Sequence, residues 1–197
     1  MQGSVSDEAF AADAVVQSVA RFGALHGLVN NAGITRPAMI AKMTMAEWSQ
    51  VMEINLTGCY LMLQAVGRHM IDRAKSGAAR PGAIVNISSI AGKKGSLGQI
   101  NYSAAKAGLF GITMTAAREW GRYGIRVNSI GFGVVETAMT ETVRGEKFRD
   151  KYLESIPLGR FSTPAEVAQP VCFLLSEGAS FMTGENITAS GGSHMQP

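Results

Sequence analysis

Apolar and polar residues alternate along the chain in blocks that predict helices and strands in succession. Ser6-Asp7-Glu8 predicts a helix start, and Gly23 predicts where that helix ends. Between them runs an apolar stripe at helical spacing, formed by Phe10, Ala14, Val15, Val19 and Phe22. Leu25–Asn30 then predicts a short buried strand. The first thirty residues therefore indicate a helix followed by a strand.

The rest of the chain repeats this order. Thr44 with Glu47, and Thr163 with Glu166, have the spacing of capping boxes, so each pair predicts a helix start. The predicted elements are a helix from Thr44 to about Arg73, a strand at Ala83–Ser88, a helix from Tyr102 to about Tyr123, a strand at Ile125–Ile130, a helix from Pro164 and a strand near Asn186–Ala189. Such alternation predicts an α/β fold, a parallel sheet with helices on both faces. With no linker or repeat, residues 1–197 predict a single domain.

Composition excludes several functions. A net charge of +3, dispersed along the chain, does not favour nucleic acid, and no apolar run has membrane-spanning length. The start lacks a secretion signal, so a cytoplasmic location is expected. Cys59 and Cys172 stand among apolar neighbours and are expected to be buried thiols. The three histidines show no ligand spacing to one another or to the cysteines, so no metal site is predicted.

One segment carries chemistry. Ser89 follows an apolar strand, and Tyr102 and Lys106 are four positions apart, on one face of a helix. A phenol ionises near pH ~10 in water, and a neighbouring ammonium is expected to lower that pKa. The Ser89 hydroxyl could then hold a substrate oxygen against Tyr102. These groups are what a carbonyl reductase or an alcohol dehydrogenase needs.

Further motifs share the order and spacing of a known family. They are Asn30-Asn31-Ala32-Gly33, Asn55 within Glu53–Gly58, Asn128, and Gly133-Val134-Val135-Glu136-Thr137. With Ser89, Tyr102 and Lys106, they make the chain, from Val5 to Gly192, resemble the short-chain dehydrogenase/reductase family. Its 3-oxoacyl-[acyl-carrier-protein] reductase branch is the most similar, through Leu28–Gly33, Gly98–Tyr102, Pro157–Arg160 and Thr183–Glu185.

The resemblance implies a role for each catalytic residue. Tyr102 is the general acid, Ser89 binds the same substrate oxygen, and Lys106 lowers the tyrosine pKa and binds the nicotinamide ribose. Asn55 anchors a water that links Lys106 to solvent. An amide in an apolar helix must otherwise find local partners, so a satisfied helix kink is the alternative for Asn55.

The resemblance also implies binding residues. Those expected to contact the cofactor are Asn31, Ala32, Gly33, Tyr102, Lys106, Gly133, Val135 and Thr137. Those expected to contact substrate are Ser89, Gln99 and Phe132. Phe132 departs from the family, which usually has proline there, and places an aromatic ring beside the nicotinamide pocket.

The family's glycine-rich phosphate turn is not found in this sequence. We therefore expect a Rossmann-like doubly wound parallel sheet whose first three strands are missing, and weak cofactor binding by the chain as given. NADP(H) is favoured through the branch, with NAD(H) possible. The expected activity is reduction of a ketone, with a 3-oxoacyl thioester as the leading substrate class. The alternatives are an NAD-dependent dehydrogenase of a sugar, polyol or other small alcohol, and a non-catalytic remnant that acts as a subunit or scaffold.

The substrate is expected to be a small-molecule or acyl-carrier-bound ketone, with no nucleic-acid or membrane partner. The two longest predicted helices carry apolar residues on more than one face. Since the family packs these helices across a two-fold axis, a homodimer or homotetramer is expected.

Overall fold

A computed structural model describes residues 1–195. Its helices and strands are, in chain order, α1 (Glu8–Phe22), β1 (Gly27–Asn30), α2 (Met45–Met52), α3 (Gly58–Lys75), β2 (Gly82–Ser89), α4 (Ala91–Lys94), α5 (Ile100–Trp120), β3 (Ile125–Phe132), α6 (Glu141–Arg144), α7 (Glu146–Glu154), α8 (Pro164–Leu175) and β4 (Asn186–Ala189). Four strands form one parallel sheet in the order β1-β2-β3-β4. The predicted α/β class with a parallel sheet is confirmed.

Helices cover both faces of this sheet. On one face α3 and α5 contact the strands, and α1 packs on α3, around a core that includes Leu63, Ile84 and Val127. On the other face α8 packs over Val85 and Ile130. Neighbouring residues of β2 point to opposite faces, as strand geometry requires, so Ile84 and Val85 belong to different cores.

Both predicted capping boxes are present. Thr44 Oγ1 accepts from Glu47 N, while Glu47 Oε2 accepts from Thr44 N at 2.8 Å. Thr163 and Glu166 repeat this arrangement, with Pro164 in the first turn of α8. Each motif joins neighbouring residues, which is why the sequence alone could predict it.

Four sequence expectations are wrong. The strand predicted to be buried at Leu25–Asn30 spans only Gly27–Asn30 and is not buried, with Val29 41% exposed, because β1 lies at the edge of the sheet. The predicted helix from Thr44 to Arg73 is interrupted by a π-helical turn at Glu53–Thr57. Phe22 is not part of a buried stripe, because it is 72% exposed, with the Arg21 guanidinium 5.4 Å from its ring centroid. Cys59 is buried as expected, but Cys172 is exposed, because it lines an open cavity between α8 and the sheet.

Candidate active site

The candidate site lies at the carboxyl ends of β2 and β3. Ser89 ends β2 and is paired in the sheet with Phe132, the last residue of β3. Directly after the strand, Ile90 N donates to Phe132 O at 3.0 Å, and the chain turns into α4. Ligands of open α/β sheets bind at this edge.

A close contact between α4 and α5 brings Ser89 to Tyr102. A Cβ at Gly92 would lie 2.7 Å from the carbonyl carbon of Lys106, closer than two such atoms can pack. Ser88 Oγ also donates to Lys106 O at 2.8 Å. The end of β2 is therefore held against the first turns of α5, which carry Tyr102 and Lys106.

The Ser89 and Tyr102 side chains line one cavity of about 180 Å³. Two other residues predicted from the sequence, Gln99 and Gly133, line it as well. Its apolar wall comes from Ile90, Ala91, Val134, Met139, Val143 and Ile156. We refer to this space as the catalytic cavity.

Burial controls the ionisation of Tyr102 and Lys106. Lys106 is 3% exposed, its Nζ donates to Ile87 O at 2.8 Å, and burial lowers its pKa to about 8. Burial raises the pKa of Tyr102, and a hydrogen bond with the Ser89 side chain acts in the opposite direction. The expectation of a lowered tyrosine pKa is therefore wrong in net direction. Although Lys106 Nζ lies 5.7 Å from the centroid of the Tyr102 ring, removing the phenolate from water has the larger effect.

Asn55 sits in the π-helical turn and is 1% exposed. Its Oδ1 accepts from Ile34 N at 2.8 Å, and its Nδ2 donates to Ile34 O at 2.9 Å. A Cβ at Gly33 would lie 3.5 Å from Asn55 Oδ1 and 3.6 Å from Lys106 Nζ. The amide thus fixes the loop after β1 directly beside the Lys106 amine. The relay through a water at Asn55 stays a prediction.

Other predicted residues line a second cavity, on the α8 side of the sheet. Asn31, Phe132, Val135 and Thr137 all face it, together with apolar side chains of β1, β2 and α8. Phe132, predicted as a substrate contact, is thus placed with the predicted cofactor residues. Ala32 lines neither cavity in the part of the chain that the structure describes.

Two buried asparagines support the site and were missed by the sequence reasoning. Asn86 is fully buried in β2, where its Oδ1 accepts from Asn30 Nδ2 and its Nδ2 donates to Thr113 Oγ1, both at 2.9 Å. Asn101 Nδ2 donates to Arg36 O at 3.0 Å and to Glu47 O at 3.1 Å. An asparagine inside an apolar strand was the signal that could have revealed Asn86, because a buried amide needs partners.

Two further findings concern metals and membranes. Within residues 1–195, no three His, Cys, Asp or Glu side chains are close enough together to hold a metal ion. None of the helices described there is long and apolar enough to span a membrane.

The fold and the site define an α/β protein of the Rossmann-like class with Ser, Tyr and Lys at the carboxyl edge of its sheet. A family model described as "Enoyl-(Acyl carrier protein) reductase" matches residues 1–194. The chain belongs to this family, which is part of the short-chain dehydrogenases/reductases.

Curated relatives include 3-oxoacyl-[acyl-carrier-protein] reductases and acetoacetyl-CoA reductases. The chain is 48% identical over 165 residues to the 3-oxoacyl-[acyl-carrier-protein] reductase FabG of Aquifex aeolicus, covering 84% of the chain and 64% of that protein. FabG of Thermotoga maritima is 43% identical over 189 residues, 96% of the chain and 74% of that protein. The acetoacetyl-CoA reductase of Rhizobium meliloti is 44% identical over 182 residues, 92% of the chain and 73% of that protein. The matched regions therefore span about two thirds to three quarters of these relatives.

Proposed function

We propose that this site reduces the ketone of a 3-oxoacyl thioester to a secondary alcohol, using a nicotinamide cofactor. The observation that carries the proposal is the placement of Ser89 and Tyr102 in one cavity, with the buried Lys106 amine behind the tyrosine. Relatives named for reduction of 3-oxoacyl and acetoacetyl thioesters support it.

In the proposed mechanism, the substrate carbonyl oxygen accepts hydrogen bonds from Ser89 Oγ and from the Tyr102 hydroxyl. Burial raises the pKa of Tyr102, so the residue is protonated at neutral pH but is a weaker acid than an exposed phenol. Proton transfer from it therefore depends on the nearby positive charge of Lys106. As negative charge develops on the substrate oxygen, Tyr102 transfers this proton to it. The charge of Lys106 then stabilises the resulting phenolate.

The residues present fit the nicotinamide end of the cofactor. Gly33 has no side chain, so it leaves space beside Lys106 Nζ and Asn55 that a Cβ would fill. Lys106 would hold the nicotinamide ribose hydroxyls there. Val135 and Thr137 would contact the nicotinamide carboxamide from the second cavity, and Asn31, which lines the same cavity, would contact the adenosine ribose side. The bound cofactor would supply the hydride. The family resemblance makes NADP(H) the favoured form and NAD(H) the alternative.

The same proposal includes a homodimer or homotetramer. Apolar side chains remain exposed on the outer sides of α3 and α5, with Tyr60 at 45%, Met114 at 46% and Ile100 at 37%. Burial of such side chains against a second copy would be favourable. A folded monomer in sedimentation at micromolar concentration would contradict this part.

The proposal is tested by following oxidation of NADPH and NADH with acetoacetyl thioesters. Tyr102→Phe should lower turnover by ~10²–10⁴-fold, as expected for loss of a general acid, with unchanged far-UV circular dichroism. Tyr123→Phe is the matched control, because its hydroxyl accepts from the neighbouring Arg122 and does not line the catalytic cavity. Turnover by Tyr102→Phe within a few-fold of the unsubstituted protein would reject the mechanism.

A further inference from the structure

The catalytic cavity has a single charged lining residue among those the structure describes, and it is Lys94 at the end of α4. The adjacent Lys93 points elsewhere, because its Nζ donates to Asn186 O at 2.7 Å and to Thr188 Oγ1 at 2.8 Å on β4. Two consecutive lysines thus have different positions, and only Lys94 faces the cavity that holds Ser89 and Tyr102.

Lys94 lies at the mouth of the cavity, since it lines the cavity and is itself exposed to solvent. Its Nζ donates to Ser193 O at 3.1 Å, and Ser193 also lines the cavity. This bond holds the ammonium between α4 and the segment after β4. No aspartate or glutamate lines the cavity within the described residues, so the local charge at the mouth favours an anion.

We propose that Lys94 binds a phosphate on the part of the thioester substrate that remains outside the cavity. This inference rests on the proposed function. The catalytic cavity takes up the 3-oxoacyl group against its apolar wall, and the carrier arm leaves past the ammonium. A lysine acts as a point charge toward phosphate and needs no fixed angle, which suits a flexible arm. Lys94 would therefore make the site prefer phosphorylated thioester carriers to uncharged ketones.

A purely structural role is the alternative for Lys94. It is the last residue of α4, where a cation is favourable near the helix carboxyl end, and it bonds the segment after β4. Such a role would affect stability, but it would not distinguish a phosphorylated ligand from the same ligand without its phosphate. A pair of ligands that differ only in the phosphate therefore separates the two roles.

The experiment is calorimetric titration of the protein with acetoacetyl phosphopantetheine and with acetoacetyl pantetheine. We expect the phosphorylated thioester to bind roughly 1.4- to 5-fold more tightly, the range of one solvent-exposed ion pair. Lys94→Gln should remove this difference, and Lys94→Arg should retain it. Lys75→Gln, which removes one positive charge at the end of α3, is the control and should leave it unchanged.

Three results would overturn the inference: equal affinity of the unsubstituted protein for both thioesters, a preference that survives in Lys94→Gln, or no binding of either thioester. Failure of the proposed function is separable from these results. A protein that shows the Lys94-dependent preference, yet oxidises no cofactor with either thioester, would contradict the reductase activity and leave the phosphate contact standing.

Discussion

The buried ammonium of Lys106 should make the stability of this protein depend on pH. Its pKa is about 8 in the folded protein, compared with 10.5 for an exposed lysine. The unfolded chain therefore binds this proton more tightly than the folded protein does, and stability must rise with pH between the two values. At about 1.4 kcal/mol per pH unit, the penalty at low pH is about 3 kcal/mol.

Lys106→Met tests this reasoning, because it keeps a chain of similar length without a charge. From the two pKa values, the free energy of unfolding of the unsubstituted protein should rise by roughly 1 kcal/mol between about pH 7 and pH 9, relative to the variant. The variant should also be the more stable protein at neutral pH. Part of that gain is lost because Ile87 O loses the hydrogen bond from Lys106 Nζ.

The measurement is urea unfolding at the two pH values, followed by tryptophan fluorescence. The Cys59 thiol also contributes to the pH dependence of stability, because burial raises its pKa from 9.0 to about 12. A raised pKa lowers stability as pH passes the unfolded value, opposite to Lys106. Since Cys59 is present in both proteins, its contribution largely cancels in the comparison. Parallel pH dependence of the two proteins would refute the charged, buried state of Lys106.

Two further substitutions test how the site is held together. Gly92→Ala should lower the free energy of unfolding by about 1–3 kcal/mol, because the added Cβ would overpack against α5, and it should also reduce turnover. Gly111→Ala is the control. Nothing lies within 4 Å of a Cβ added there, so this variant should not be destabilised. Asn55→Ala should cost about 1–3 kcal/mol in urea unfolding, because Ile34 N and O lose their partners. If either variant is as stable as the unsubstituted protein, the contact it alters, between Gly92 and α5 or between Asn55 and Ile34, is not needed for stability.

Local signals in the sequence predicted most elements of the fold. The two capping boxes, the apolar strands and the start of α8 each depend on residues close together in the chain, and all are present. The π-helical turn at Glu53–Thr57 was not predicted. One inserted residue shifts the phase of the following apolar stripe by about 100°, and this shift is hard to recognise in a segment that carries apolar residues on more than one face. The short helices α6 and α7 were also missed. α7 carries a short apolar stripe of Phe148, Tyr152 and Leu153, but these side chains are only half-buried and the stripe spans fewer than three turns.

The proximity of Ser89, Tyr102 and Lys106 was predictable from the sequence, but the electrostatics of the site and several of its other residues were not. Spacing and resemblance pointed to Ser89, Tyr102 and Lys106, and the structure places them together. The direction of the Tyr102 pKa depends on how much water surrounds the ring, which is a property of the packed α4, α5 and β2. Lys94 was missed because its position also depends on how the elements pack. Two adjacent lysines look equivalent in a sequence, and only the fold shows that one of them faces the cavity.

Burial shifts the pKa values of Tyr102 and Lys106 in opposite directions. It keeps the proton on Tyr102 before reaction, and it raises the free energy of the Lys106 ammonium by about 3 kcal/mol. Once Tyr102 gives up its proton, the negative charge is spread over a phenolate whose ring centroid lies 5.7 Å from Lys106 Nζ. At an effective dielectric constant of about 20, two unit charges at this distance attract by about 3 kcal/mol. The attraction is comparable to the destabilisation that burial imposes on Lys106, so the ammonium is stabilised at the moment when the phenolate appears. On this argument the charge of Lys106 is costly in the resting protein and favourable in the proton-transfer step, which is why a neutral side chain there should increase stability and reduce turnover together.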